Sequence, residues 1–162
     1  MGNNIVGVGF LLFIPGNECL KIFTVRELQS KPALSKMAGM LSFPLETFSS
    51  DDVDYMGTIR RLLKEEVGVF PEQVKICGIS PRELYLIPGR SDIVTCYGFG
   101  IFLGDPNQIF QPGDNDVAFA GWMSPLALLR HNYVRIEVRP VLFNFFRSGA
   151  HKQVLNPPVI VR

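Results

Sequence analysis

Two adjacent carboxylates, Glu65 and Glu66, stand near the end of Arg61-Leu62-Leu63-Lys64-Glu65-Glu66-Val67, which reads as the close of an amphipathic helix stopped by Gly68. Negative charge at a helix C-terminus opposes the macrodipole, at a cost of roughly 0.3–1 kcal/mol for each group. A divalent cation would offset that cost, because hard cations take oxygen ligands. Residues i, i+3 and i+4 share a helix face, so Leu62, Glu65 and Glu66 are expected to point the same way. The plainer reading is a solvated face on which the two acids pair with Lys64 or Arg61.

The longer stretch from Phe43 to Val69 resembles the Nudix box, G-x5-E-x7-R-E-U-x-E-E-x-G-U, where U is aliphatic. Arg61, Leu63, Glu65, Glu66, Gly68 and Val69 match its right half, with Leu62 in the place of a glutamate. In the left half, Phe43-Pro44 stands where the family has an aromatic-Pro-Gly-Gly lead-in, so Leu45-Glu46 replaces the two glycines. Asp52 takes the place of the first motif glutamate, with one extra residue before Arg61. Gly39 and Glu46 offer a second alignment that needs a longer insertion. Further along, Asp116 followed by Trp122-Met123-Ser124-Pro125-Leu126 resembles the family's acidic residue ahead of a tryptophan-bearing strand end and helix.

The resemblance implies a single domain over 1–162 with an α/β/α sandwich, a mixed sheet and a loop–helix–loop site. It implies hydrolysis of the diphosphate linkage of a nucleoside diphosphate derivative, with Mg²⁺ or Mn²⁺ as cofactor. Glu65, Glu66 and Arg61 would form the catalytic set, with Arg61 orienting the site by pairing with Asp52 or Glu46. Glu65, Glu66, Glu46 and Asp116 would be the metal-ligating carboxylates. Leu62 leaves two of the three helix acids, and Mg²⁺ commonly relies on one or two carboxylates plus phosphates and water. If the missing glutamate is the general base, the rate falls by roughly 10²–10⁴-fold. The alternative is a catalytically inactive Nudix-like module that binds a nucleotide or a protein partner.

The elements that must carry these residues are legible in outline. Ile5–Ile14 is a strand ended by a turn at Pro15-Gly16-Asn17, and Cys19–Val25 returns from it. Glu27–Lys36 reads as loop and Met37–Phe43 as a short strand. A helix is expected from about Ser49–Asp52 to Val67, with Val53, Met56, Ile59 or Leu63, and Val67 on its apolar stripe. Gly68 suits a left-handed cap. Strands follow at Val74–Ile79, Glu83–Ile87, Asp92–Leu103 and Val117–Met123, with a surface loop over Gly104–Asp116. Helices are expected at Pro125–Leu129, capped by Ser124, and at Glu137–Arg147, and the tail after Gly149 is expected to be extended.

Sixteen basic residues against fifteen acidic ones leave no electrostatic footprint for nucleic acid or an anionic membrane, and neither is expected as a partner. Cys19, Cys77 and Cys96 are widely spaced and read as small buried residues in a reducing, cytoplasmic setting. The apolar runs at Ile5–Ile14 and Ile93–Leu103 are too short to span a bilayer but leave room for a homodimer. Tyr85, Tyr97, Phe99 and Trp122 are expected to pack, not to stack on a base, and His131 and His151 receive no catalytic role.

Overall fold

The computed structural model describes residues 5–14, 20–79, 85–87 and 90–155, with backbone alone for 85–87 and 90–92. Its spine is a parallel pair. Strand β1 (Ile5–Phe13) runs beside β7 (Arg90–Phe102), from Ile5 opposite Ile93 to Phe13 opposite Ile101. Parallel strands are covered on both faces and so become near-continuous apolar runs. Their central place accounts for the hydrophobic character of both segments.

Six further strands complete one mixed sheet among the described residues. Strand β2 (Ile22–Glu27) lies antiparallel to β3 (Leu41–Ser42) and β8 (Val117–Met123), and meets β1 where Ile22 faces Phe13. Strand β4 (Leu45–Thr47) pairs with the first half of β1, while β5 (Val74–Ile79) and β6 (Tyr85–Ile87) pair with β7.

Alternation along β1 divides the core in two. Leu11 and Phe13 face α2 (Pro125–Arg130), α3 (Val138–Arg147) and α4 (His151–Leu155), packing with Leu128, Val141, Leu142, Phe145 and Val154. Phe13 and Phe145 stack with ring centroids 5.3 Å apart. Val8, Phe10 and Leu12 face α1 (Tyr55–Leu62) through Ile59 and Leu62. Each such side chain contributes about 1.5–3 kcal/mol when fully buried. The architecture is the α/β/α sandwich expected from the sequence.

Several boundaries differ from expectation, each for a local reason. Helix α1 starts late because Asp54 is its cap, accepting from Gly57 N at 2.9 Å. Ser49–Asp52 form the turn before it, where Asp52 accepts from Ser49 N at 3.0 Å and from the Thr58 hydroxyl at 2.9 Å. Val53 therefore precedes the helix and is 96% exposed, off the apolar stripe. After Leu62 the backbone widens into a π-helical turn over Leu63–Val67, with Gly68 N and Val69 N both donating to Leu63 O. The expected strand Met37–Phe43 shortens to β3, and an unexpected strand, β4, follows Phe43-Pro44, so Glu46 lies on a strand. Strand β2 continues through Glu27, beyond the expected loop boundary. The tail begins as α4 because Ala150 and Val154 join the core against α3. The expected turn at 15–17, Cys19, the start of the strand at Glu83 and Pro157-Pro158 lie outside the described residues. No helix among the described residues is long and apolar enough to cross a membrane.

Candidate metal centre

Three segments meet at the site: β4, the π turn that ends the motif helix, and the loop 104–116. Gly68 makes the last junction possible. Its φ is 79°, and a Cβ there would come within 2.1 Å of Gln111 O. The loop can therefore lie directly on the helix end, where Asp114 N donates to Glu65 O at 3.0 Å.

One carboxylate oxygen from each of Glu46, Glu65 and Asp114 lies within 4.8 Å of the others. The three groups are half-buried and line a cavity of about 150 Å³. No basic side chain forms an ion pair with any of them among the described residues. Burial pushes the Glu46 carboxyl above its usual range; Arg61 opposes this, while the charges of Glu65 and Asp114 add to it. Magnesium–oxygen bonds of about 2.0–2.1 Å place opposite ligands roughly 4 Å apart. An all-oxygen set at this spacing, with no direct ion pair among the described residues, fits Mg²⁺ or Mn²⁺.

The residues singled out in the sequence take different places around this cluster. Glu65 and Glu46 belong to it. Glu66 lines the same cavity, but it is 3% exposed and its Oε2 accepts from Leu45 N at 2.9 Å. Burial, then the nearby Glu46 charge, pushes its carboxyl well above the usual range, against the Leu45 hydrogen bond. Asp116 also lines the cavity, where Lys31 bonds it at 2.8 Å and holds its carboxyl below the usual range. Arg61 donates to Thr47 O at 2.9 Å and to Asp52 at 3.1 Å, tying α1 to the end of β4. Leu62 does not share the acids' surroundings as expected. It is fully buried between α1 and the sheet, and it lines no part of the cavity.

Two features were missed in the sequence. Asp114 stands two residues before Asp116, and the paired acids in Asp114-Asn115-Asp116 were its available signal. The second is a buried charged group behind Glu66. Glu27 pairs with Lys36 at 2.9 Å and with Arg135 at 3.2 Å, and Arg135 approaches Glu137 at 3.5 Å. Glu27 and Arg135 are 108 positions apart, and no short pattern announces them.

Of the remaining candidates, Phe99 is buried in the core, while the Tyr85 side chain lies outside the described residues. Tyr97 donates to Asn144 Oδ1 at 2.6 Å within the α3 face of the core, and Trp122 donates to Pro106 O at 2.9 Å. Cys77 and Cys96 are free thiols, and burial pushes Cys96 up to about 11.

No protein-family model matches the chain. No curated protein sequence matches it. Solved structures do resemble it. The NUDIX domain of Shewanella oneidensis NrtR, complexed with ADP ribose, has a TM-score of 0.64 at 15% identity, covering 94% of this chain and 90% of that one. A C. elegans Ap4A hydrolase in a binary complex has a TM-score of 0.60 at 13% identity, covering 91% and 98%. A bifunctional NMN adenylyltransferase/ADP ribose pyrophosphatase from Francisella tularensis, complexed with AMP and a Mn ion, has a TM-score of 0.63 at 14% identity. That match covers 91% of this chain and 42% of the longer protein. The chain has the Nudix fold.

Proposed function

We propose that this protein is a metal-dependent hydrolase of the diphosphate linkage in a nucleoside diphosphate derivative. The observation behind this reading is the convergence of Glu46, Glu65 and Asp114 in one cavity without a basic partner. The substrate class is suggested by solved relatives of the same fold whose complexes hold ADP ribose or AMP.

Glu46, Glu65 and Asp114 would hold Mg²⁺ or Mn²⁺, with Asp116 and Glu66 as the adjoining carboxylates. A divalent cation there would neutralise phosphate charge and stabilise the leaving oxygen of the anhydride. Glu66 positions Glu46 by holding the backbone of its neighbour Leu45. Arg61 fixes the helix against β4 through Thr47 and Asp52. Lys31 keeps Asp116 ionised beside the cluster.

The test is a panel of ADP-ribose, diadenosine tetraphosphate and nucleoside triphosphates incubated with Mg²⁺, Mn²⁺ or EDTA. Cleavage of at least one compound is expected with metal and none with EDTA. Glu65→Gln and Asp114→Asn should each lower metal-dependent turnover by at least about tenfold. Turnover that survives EDTA or both substitutions would reject the assignment. The burial of Leu62 favours the second reading, a binding module without turnover. It predicts stabilisation by a nucleotide without added metal, and no product from any compound.

A further inference from the structure

The cavity at the acid cluster is too small and too charged to take a whole nucleotide. Small-molecule sites usually enclose about 300–1,000 Å³, against about 150 Å³ here. Its walls carry Lys31, Lys36, Arg135 and a surplus of carboxylates, so an organic ring placed there would displace hydration from charges it cannot pair. A diphosphate held at the cluster must extend its organic part elsewhere.

A second cavity adjoins the first. It is an open groove of about 640 Å³ between the loop 104–116 and the start of β8, and Asp114 lines both. Its apolar surface comes from Leu28, Ile109 and Phe119, with Ile109 84% and Leu28 50% exposed. Beneath them lies the buried Phe110, whose ring packs against that of Phe119 with centroids 4.9 Å apart. The polar surface includes Gln108, Gln111 and Asn115, whose side-chain amides make no hydrogen bond to any described residue. A side-chain amide presents a donor beside an acceptor, and so can pair with the N6/N7 edge of adenine, where guanine presents two acceptors.

We infer that this groove is the subsite for the nucleobase of the ligand, with a preference for adenine. Apolar side chains cover its faces, the amides read its edge, and the diphosphate crosses the shared Asp114 to the acid cluster. The inference rests on the cluster's being a cation-dependent phosphate site.

Calorimetric titration of the full chain with ADP and with inorganic pyrophosphate, each with Mn²⁺, separates the two ideas. Wild type is expected to bind ADP at least about tenfold more tightly than pyrophosphate, the scale of a base contact with an aromatic or apolar surface. Ile109→Ser/Gln111→Ala, altering an exposed apolar residue and a free amide, should lose that advantage while binding pyrophosphate as before. A guanine counterpart, GDP, should bind more weakly than ADP. Equal ADP and pyrophosphate affinities in wild type would overturn the inference, as would a variant that weakens both ligands or neither. Pyrophosphate binding indifferent to Mn²⁺ or EDTA would instead reject the cation site, and the base subsite with it.

Discussion

Glu66 is an acid held where ionisation is costly. Its carboxyl is almost wholly buried, near Glu46, and takes one backbone hydrogen bond. Its folded-state pKa is raised well above the ordinary 4.5, so the folded chain binds this proton more tightly than the unfolded chain does. Stability from this residue is therefore greatest at low pH and declines as pH rises above 4.5 toward the folded value. Glutamine keeps the acceptor for Leu45 N and removes the charge. In EDTA, Glu66→Gln should unfold at higher urea than wild type at pH 8, with the gap closing toward pH 5. A variant less stable than wild type at pH 8 would show that the ionised group is compensated in the fold. The same residue marks a limit of sequence reading. Helical spacing put Glu65 and Glu66 near each other, but only the fold separates an acid in the cluster from one clasping a strand.

At the scale of elements, the site depends on how the motif helix ends. The π turn over Leu63–Val67 gives Leu63 O two backbone donors, Gly68 N and Val69 N, and presents Glu65 to the loop. Such turns recur at functional sites in helices. Gly68 then needs both its positive φ and its bare α-carbon. Gly68→Ala should destabilise by at least about 1–3 kcal/mol from backbone conformation alone. The clash with Gln111 O adds a displacement of the loop carrying Asp114, so Mn²⁺ affinity should fall as well as the urea midpoint. A loss of stability with unchanged Mn²⁺ affinity would mean that the loop's seat on the helix does not position the cluster. Gly68 was legible because a glycine after an amphipathic run has few other purposes. The π turn was not, since the same residues fit an ordinary helix and only tertiary packing widens it. Strand β4 escaped for a related reason: three residues after a proline carry too little pattern to be distinguished from loop.

Across the whole molecule, the buried charges join segments distant in the chain. Glu27 ends β2, Lys36 belongs to the following loop, and Arg135 and Glu137 lie just before α3. Leu41 and Arg135 reinforce the junction, with Arg135 N donating to Leu41 O at 3.0 Å. Removing one member of a buried ionic group typically costs about 3–5 kcal/mol, because its partners remain desolvated. Arg135→Met should lower stability by that order, measured by urea unfolding. A loss below about 1 kcal/mol would show that water or rearrangement replaces the guanidinium. The sandwich itself was legible from the motif resemblance and the order of strands and helices, and the apolar segments of β1 and β7 lie at its centre. The charged junction was invisible because isolated acids and bases read as surface until folding removes them from water.

Asp114 stands in the partition between the acidic cavity and the groove. If occupancy on one side changes affinity on the other, thermodynamic linkage requires the reverse change to have the same factor. The cation and the organic end of a ligand would then be weighed jointly, and neither affinity measured alone would describe the assembled complex.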